Sequence, residues 1–295
     1  MKKVVLLTMD DAGSFEIYDS LLHAPLAELG WQAYDLSWRD PSINWNEYDS
    51  VIIRSPWDYQ EHCEEFLQVL EKIENSSALL ANNIDLVKWN INKRYLAKLE
   101  QKQVELVPTI WGETLSSEQL YGAFAHFNTD RIIIKPCISA GAFDTFSLTQ
   151  QQAEEQEKQL LALFNTRGFM IQPFMQNIVD EGEYSIFFFN NQFSHCILKS
   201  PKENDFRVQE EYGGRLSQVN PEDHLVQASK KVLSAIPYPA LYARLDFVRT
   251  DDGFAIMEAE LIEPSLYFNM DDQSAGRFAQ AFVEYYLQYT ITTEQ

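Results

Sequence analysis

Between Arg244 and Glu260 the chain reads RLDFVRTDDGFAIMEAE, two apolar-rich runs around a turn that carry three carboxylates, Asp246, Glu258 and Glu260. A three-residue hairpin loop closed by a left-handed glycine is a common connection, and a loop of Asp251, Asp252 and Gly253 sets Thr250 opposite Phe254. Pairing back from there, Phe247 faces Met257, Leu245 faces Ala259 and Ala243 faces Leu261 on one side of the ribbon. On the other side Val248 faces Ile256, Asp246 faces Glu258 and Arg244 faces Glu260. The first face is apolar and the second gathers the acids. Like charges directly across a strand pair destabilise it, and when partly buried they raise each other's pKa. The face therefore calls for a cation. Magnesium suits it, being a hard ion that takes oxygen ligands and commonly joins one or two carboxylates to substrate phosphates. The plainer alternative is a solvated sheet face neutralised by Arg244 and other basic groups. A slip of one residue in register would turn Asp246 and Glu258 to opposite faces and end the requirement.

A magnesium–nucleotide site also needs groups for the phosphates, and the sequence has neither GxxxxGK[ST] nor a strand-linked GxGxxG. Lysines at strand ends are another route. Lys135 ends the apolar run RIIIKP and precedes SAGAFDT, a small-residue loop with Ser139 and Gly141 whose amides could cover phosphates. The alternative is a lysine snorkelling to solvent. Lys93 in WNINKRYL, Lys199 in HCILKSPK, Arg207 in DFRVQ and Arg244 in the hairpin complete the candidate cations.

The elements that must position these groups fall into three stretches. Over the first 80 or so residues short apolar runs (KKVVLLTM, WQAYDLSW, YDSVIIRS, ALLAN) alternate with helical patterns at Phe15–Leu29 and EHCEEFLQVLEKIE, which predicts βαβ units and an open parallel α/β domain over residues 1–84. Residues 85–175 read as a small α+β unit. Here DLVKWNINKRYLAKLEQKQ is a basic helix, VELVPTIW a strand, SSEQLYGAFAHF a serine-capped helix, RIIIKP a strand, TQQQAEEQEKQLLALF a long helix and FMIQPFM a strand. Residues 176–295 read as strand-rich, with EYSIFFFNNQFSHCILKSP and DFRVQEEYGG as strands, a helix around EDHLVQASKKVLSAI, the acidic hairpin and a closing helix SAGRFAQAFVEYYLQYT. Ligands of open α/β sheets sit beyond the carboxyl ends of the strands. RSPWDY follows such a strand, which makes Arg54, Ser55, Trp57 and Asp58 substrate-side candidates. The alternative is that Trp57 and Tyr59 close over the core while Arg54 and Asp58 form surface ion pairs.

With 23 basic and 44 acidic residues the formal charge is −21, so nucleic acid and anionic membrane surfaces are repelled by most of the molecule. No apolar segment approaches the roughly 18 to 20 residues of a membrane helix. The apolar run at the N-terminus ends at Asp10 and Asp11, short of a signal-peptide core, and Cys63, Cys137 and Cys196 are odd in number and far apart. A cytoplasmic protein without a disulfide framework is expected.

In this order, Lys93, Lys135 in IIIKP, a small-residue loop, MIQPFM followed by EGE, and RLDF…MEAE resemble the ATP-grasp superfamily. Within it the chain is similar to carboxylate–amine ligases of the glutathione synthetase and RimK type. RSPWDY, WNINKRYL, GEYSIFF, SHCILKSP, DFRVQEEYGG, YARLDFV and MEAELIEPSLYF further resemble the group that includes the ATP-grasp cyclo-ligase of D-cycloserine biosynthesis. The resemblance spans nearly the whole chain and implies an ATP-grasp fold behind the N-terminal α/β domain. It also implies ATP and two magnesium ions as cofactors, small amino-acid-like substrates, and the homodimer common among relatives of this architecture.

By the same resemblance Lys93 and Lys135 contact the nucleotide's phosphates, with Ser139 and Gly141 in the covering loop. Gln172, Pro173, Phe174 and Met175 form the hinge that reads adenine, Glu183, or else Asp180 or Glu181, lies near the ribose or its polar network, and Asp246, Glu258 and Glu260 hold the magnesium ions. Two departures stand out: glutathione synthetases carry asparagine at the third metal position where this chain has Glu260, and the loop after Lys135 is poor in glycine. The implied reaction transfers the γ-phosphoryl group of ATP to a substrate carboxylate, and an amine then attacks the acyl phosphate. Arg207, Arg244 and Lys199 would serve the carboxylate and acyl phosphate, with Ser265 and Glu263 on the substrate side. His195 reads either as a substrate ligand or as a structural residue of the core. A non-catalytic nucleotide-binding module and a small-molecule kinase are the competing readings. Arg244→Ala is expected to abolish turnover and leave folding intact.

Overall fold

The computed structural model describes residues 1–13, 15–139, 141, 143–203 and 205–291. Its N-terminal sheet contains β1 (Lys2–Thr8), β2 (Trp31–Ser37), β3 (Ser50–Ser55) and β4 (Leu79–Ala81), all parallel, in the order β2-β1-β3-β4. Val4, Val5, Leu6 and Leu7 are all buried, a continuous apolar run rather than an alternating one, because a parallel sheet is covered on both faces. The stretch expected to be helical from Phe15 forms only a short α-helix, His23–Glu28, entered through a 3-10 turn and ended at Gly30 with φ +85°.

A second sheet contains β5 (Ile110–Gly112), β6 (Arg131–Pro136), β7 (Phe146–Thr149) and β8 (Phe169–Pro173), antiparallel in the order β5-β8-β6-β7. Its helices, Ser117–Phe127 and Gln150–Leu163, each begin with a capping box, Ser116 with Gln119 and Thr149 with Gln152. The third sheet is built from β9 (Glu183–Phe189), β10 (Gln192–Ser200), β11 (Arg215–Gln218), β12 (Tyr242–Thr250) and β13 (Gly253–Glu260), in the order β11-β10-β9-β12-β13. Asn190 and Asn191 turn β9 into β10 with φ of 44° and 63°, the left-handed pair a two-residue hairpin requires.

Two expectations are corrected here. The basic helix over 85–103 is two helices, Ile84–Asn90 and Tyr95–Gln101, broken at Ile91–Arg94, where Asn92 Oδ1 accepts the Arg94 N–H instead of leaving the helix ladder to continue. DFRVQEEYGG is a loop with a single 3-10 turn at Glu210–Tyr212, its first residues held by Asp205 Oδ1 accepting the amides of Phe206 and Arg207.

The closing helix Ser274–Ile291 lies against the N-terminal unit, with Trp31 in edge contact with Phe282 and Tyr286 at 4.7 Å. The core under β1 and β2 is therefore continuous with that under β9. No helix among the described residues is long and apolar enough to cross a membrane.

Candidate active site

A cleft separates the four-stranded antiparallel sheet from the acid-bearing face of the five-stranded one. Ile133, Lys135 and Gln172 to Met175 line one wall, and Glu183, Lys199, Asp246 and Glu258 line the other. On β6 the alternation decides which residues arrive: Ile132 and Ile134 are fully buried under the sheet, leaving Ile133 and Lys135 on the cleft side. The Lys135 ammonium makes no hydrogen bond or ion pair among the described residues. Burial lowers its pKa, with Glu258 acting against that and Lys93 adding to it.

Lys93 reaches the cleft because of the break between the two helices. Its amide donates to Cys137 O (2.8 Å), and its ammonium donates to Ser139 O (2.6 Å) and pairs with Glu258 (2.7 Å). Burial works to lower the Lys93 pKa, but Glu258 outweighs it and the net shift is upward. Of the loop that follows Lys135, Ala140 and Ala142 lie outside the described residues; Ser139 and Gly141 line the cleft.

The acidic hairpin pairs Arg244 with Glu260, Leu245 with Ala259 and Asp246 with Glu258, as the loop arithmetic requires, but by a different route. The turn is two residues long, Thr250 pairing with Gly253, and a bulge between Asp246 and Phe247 sets Phe247 opposite Ile256. One residue fewer in the turn and one extra on β13 cancel. The extra residue is Met257. It leaves the apolar face predicted for it and packs with Met175, Ile178, Val248 and Ala255 on the cleft side, where it lines the cavity.

All three carboxylates thus share one face, and each meets a protein cation. Asp246 accepts from Ser185 Oγ, pairs with Arg244 (3.0 Å) and lies 3.6 Å from Lys199, which also pairs with Glu183 (2.5 Å). Glu258 pairs with Lys93, and Glu260 with Arg244. Burial pushes the Asp246 and Glu258 carboxyls up, but their cations outweigh it and both pKa values fall below the ordinary range. Glu260 differs: burial, with Asp246 and Glu258 beside it, raises its pKa to about 8 despite Arg244.

Among the described residues no three such side chains converge into a ready-made metal cage, because their oxygens are turned to Lys93, Lys199 and Arg244. The donor chemistry still fits magnesium: three carboxylates on one face, one of them under-neutralised, supply hard oxygen ligands and excess negative charge. Asp246, Glu258 and Glu260 are the residues that would hold it. Glu260 binds more protons folded than unfolded between its ordinary value and about 8, so stability without metal falls as pH rises through that window. Thermal melts from pH 5 to 8 should show this fall, and added magnesium should flatten it.

On the adenine side, Phe174 N–H already donates to Arg131 O (3.0 Å), so the expected hinge offers its Met175 amide rather than that of Phe174. Gln172 is buried, its side-chain amide donating to Thr109 Oγ1 (3.0 Å). Arg207 lines the cleft while forked onto Asp205 (3.0 Å) and lying over Tyr212 (3.8 Å).

The N-terminal candidates sit elsewhere than expected. Arg54 is 1% exposed, its Nε donating to Asp19 (3.1 Å) and its Nη2 to Pro264 O (2.9 Å), so it does not face the cleft. Ser55 is buried against Thr8, and Asp58 is occupied by Trp38 Nε1 (2.7 Å) and Arg39 (2.6 Å). Trp57 donates to Glu263 O (2.8 Å).

These bonds belong to a pattern that sequence reasoning missed. Five consecutive carbonyls are each held by a side chain: Ile262 by Tyr242, Glu263 by Trp57, Pro264 by Arg54, Ser265 by Arg244 and Leu266 by His195. A segment without regular structure is thereby fixed from both the N-terminal unit and the five-stranded sheet. His195 does not reach the cleft; it is buried, its ring stacked on Phe187 at 4.2 Å. Since a carbonyl only accepts, its Nε2 carries the proton and Nδ1 accepts from Ser194, and burial drops its pKa to about 4. Arg54→Ala strands Asp19 and the Pro264 carbonyl, and is expected to cost about 3–5 kcal/mol in urea unfolding.

Residues 4–82 match the family model of the D-cycloserine synthetase DcsG N-terminal domain. The cycloserine biosynthesis protein DcsG of Streptomyces lavendulae is 28% identical over 306 residues, covering 95% of this chain and 98% of that protein. The crystal structure of D-cycloserine synthetase DcsG superposes with a TM-score of 0.85 at 26% identity, over 96% of this chain and 99% of the other. The ATP-grasp ligase PsnB, solved with a phosphomimetic variant of its minimal precursor, Mg and ADP, has a TM-score of 0.68 at 13% identity, over 96% and 98%.

Proposed function

Starting from a chain that belongs to the ATP-grasp superfamily and is a carboxylate–amine ligase, we propose that it activates the carboxylate of a small amino-acid-like substrate as an acyl phosphate for attack by an amine. The observation that carries this is Lys135, a cation whose ammonium is unpaired among the described residues and faces three clustered carboxylates across the cleft. Bound magnesium–ATP would supply the γ-phosphoryl group and leave as ADP.

The chain's own groups do the rest by position and charge, which is most of what phosphoryl transfer requires. Lys135 and Lys93 lie where phosphates entering beside Glu258 would meet them, and Glu258, now paired with Lys93, would help hold magnesium while Lys93 turned to a phosphate. Arg244 and Arg207, with planar forked guanidinium groups, orient the carboxylate and carry the charge of the acyl phosphate. Lys199, clamped between Glu183 and Asp246, holds the positive charge of that wall in place. Ile133, Met257 and Met175 supply an apolar seat for the base. The likeness to a cycloserine biosynthesis protein supports an amino-acid-derived substrate, joined either to a second molecule or to its own amine.

Incubation with magnesium-ATP and pairs of amino acids tests the reading. ADP and phosphate released together, with a condensed product by mass spectrometry, is the expected result. ADP with a stable phosphorylated product would make the protein a kinase, and absence of turnover with every pair would make it a binding module.

A further inference from the structure

Tyr267 follows directly on the five pinned carbonyls and has φ 45° and ψ 48°, a left-handed conformation that a bulky side chain adopts only when its surroundings impose it. The imposing contacts are visible. Arg244 holds the Ser265 carbonyl, His195 holds that of Leu266, and the Tyr267 carbonyl accepts the Met270 N–H (2.9 Å). His195 is held in turn through Ser194, whose hydroxyl accepts from Arg277 Nε (3.1 Å), and Arg277 is anchored on Asp271 (2.7 Å).

The side chain so directed is 7% exposed, its ring edge-on to Phe187 at 6.3 Å. Buried tyrosines normally give their hydroxyl a partner. Here the hydroxyl makes no hydrogen bond among the described residues, yet it is not sealed off from solvent. Its charged surroundings are Lys199, Arg244, Glu210 and Glu260, close enough to act on the phenol. Two of these are the cations of the cleft wall. A phenol donor beside two cations, hydrogen-bonded to no acceptor among the described residues, matches an oxyanion ligand such as a carboxylate.

We propose that Tyr267 contacts the substrate, its hydroxyl donating to a carboxylate oxygen of the amino-acid-like ligand next to Lys199 and Arg244, and that His195 is a positioning residue acting through Leu266. This rests on the ligase reading for the identity of the ligand. Tyr267→Phe removes only the hydroxyl. His195→Leu removes the donor to Leu266, and His195→Gln restores an amide donor near the same point.

The test uses the full chain and two readouts: ADP release with amino-acid pairs, and the shift in thermal midpoint that each single amino acid of the pool produces in the magnesium-ADP-loaded protein. Tyr267→Phe is expected to raise the KM for the carboxylate substrate about tenfold, to remove most of the thermal shift, and to leave the KM for ATP unchanged. His195→Leu should reproduce the KM change, and His195→Gln should recover most of it. The proposal is overturned by an unchanged carboxylate KM and thermal shift in Tyr267→Phe, by an equal rise in the KM for ATP, or by no shift from any amino acid in the unchanged protein. No ADP release alongside a Tyr267-dependent shift would overturn the ligase reading and keep Tyr267 as a ligand contact.

Discussion

Replacing Lys135 with methionine is expected to raise the KM for ATP at least about a hundredfold while the protein stays folded. The direction follows from what Lys135 does and does not touch. Its ammonium has no hydrogen bond or ion pair among the described residues, and burial holds its pKa down, so its charge is desolvated without a dedicated partner. Methionine keeps the aliphatic stem and removes that charge, which relieves desolvation in the free protein. Nucleotide binding instead loses a charge-assisted contact to phosphate worth about 3 kcal/mol, or roughly two orders of magnitude. Equilibrium binding of ATP and thermal melting of the free protein read the two halves separately. A Lys135→Met protein that binds ATP normally would place the phosphates elsewhere.

Arg244→Ala is expected to abolish turnover, and the structure changes the second half of what the sequence suggested. Arg244 is buried, forked onto Asp246 at 3.0 Å, in contact with Glu260, and bonded to the Ser265 carbonyl. Losing its charge in the transition state costs about 3 kcal/mol or more, at least a hundredfold in rate. Folding is not spared, because buried Asp246 and half-buried Glu260 lose Arg244, with Asp246 keeping only Lys199 at 3.6 Å, at a cost of about 3 kcal/mol in the absence of metal. Magnesium should return much of this if the freed carboxylates hold it, as proposed. Melting Arg244→Ala with and without magnesium separates the roles: a loss of stability that magnesium leaves untouched contradicts a metal site on Asp246 and Glu260, and unchanged turnover removes Arg244 from the mechanism.

What was legible in the sequence depended on how local its cause was. The charged face of the hairpin could be counted from a turn, and the pairs nearest the site came out right although the turn is shorter and β13 carries a bulge. That cancellation is not visible in alternating polarity, so Met257 went to the wrong face. Lys135 was legible because the alternation along β6 fixes which side chains point outward; the same alternation brings Ile133 to the cleft. Lys93 lines the cleft, but the sequence pattern puts it inside a helix, since Asn92 ending the ladder is a side-chain event that periodicity does not record. Arg54 was misassigned for a different reason. Its partners, Asp19 and Pro264, lie 35 and 210 residues away, and an arginine after a strand looks the same whether it meets substrate or a distant carbonyl. Tyr267 carried no sequence signal, because its conformation is imposed by His195 and Arg244 through backbone carbonyls.

The central claim is that the cleft makes an acyl phosphate, and oxygen-isotope transfer tests it most directly. With an amino-acid pair that supports ADP release, the carboxylate substrate is labelled in both oxygens with the heavy isotope and the released phosphate is analysed by mass spectrometry. Activation by phosphorylation predicts one labelled oxygen in each phosphate formed, because the carboxylate oxygen that attacks the γ-phosphorus leaves with it when the amine displaces it. Phosphate free of label would contradict the account.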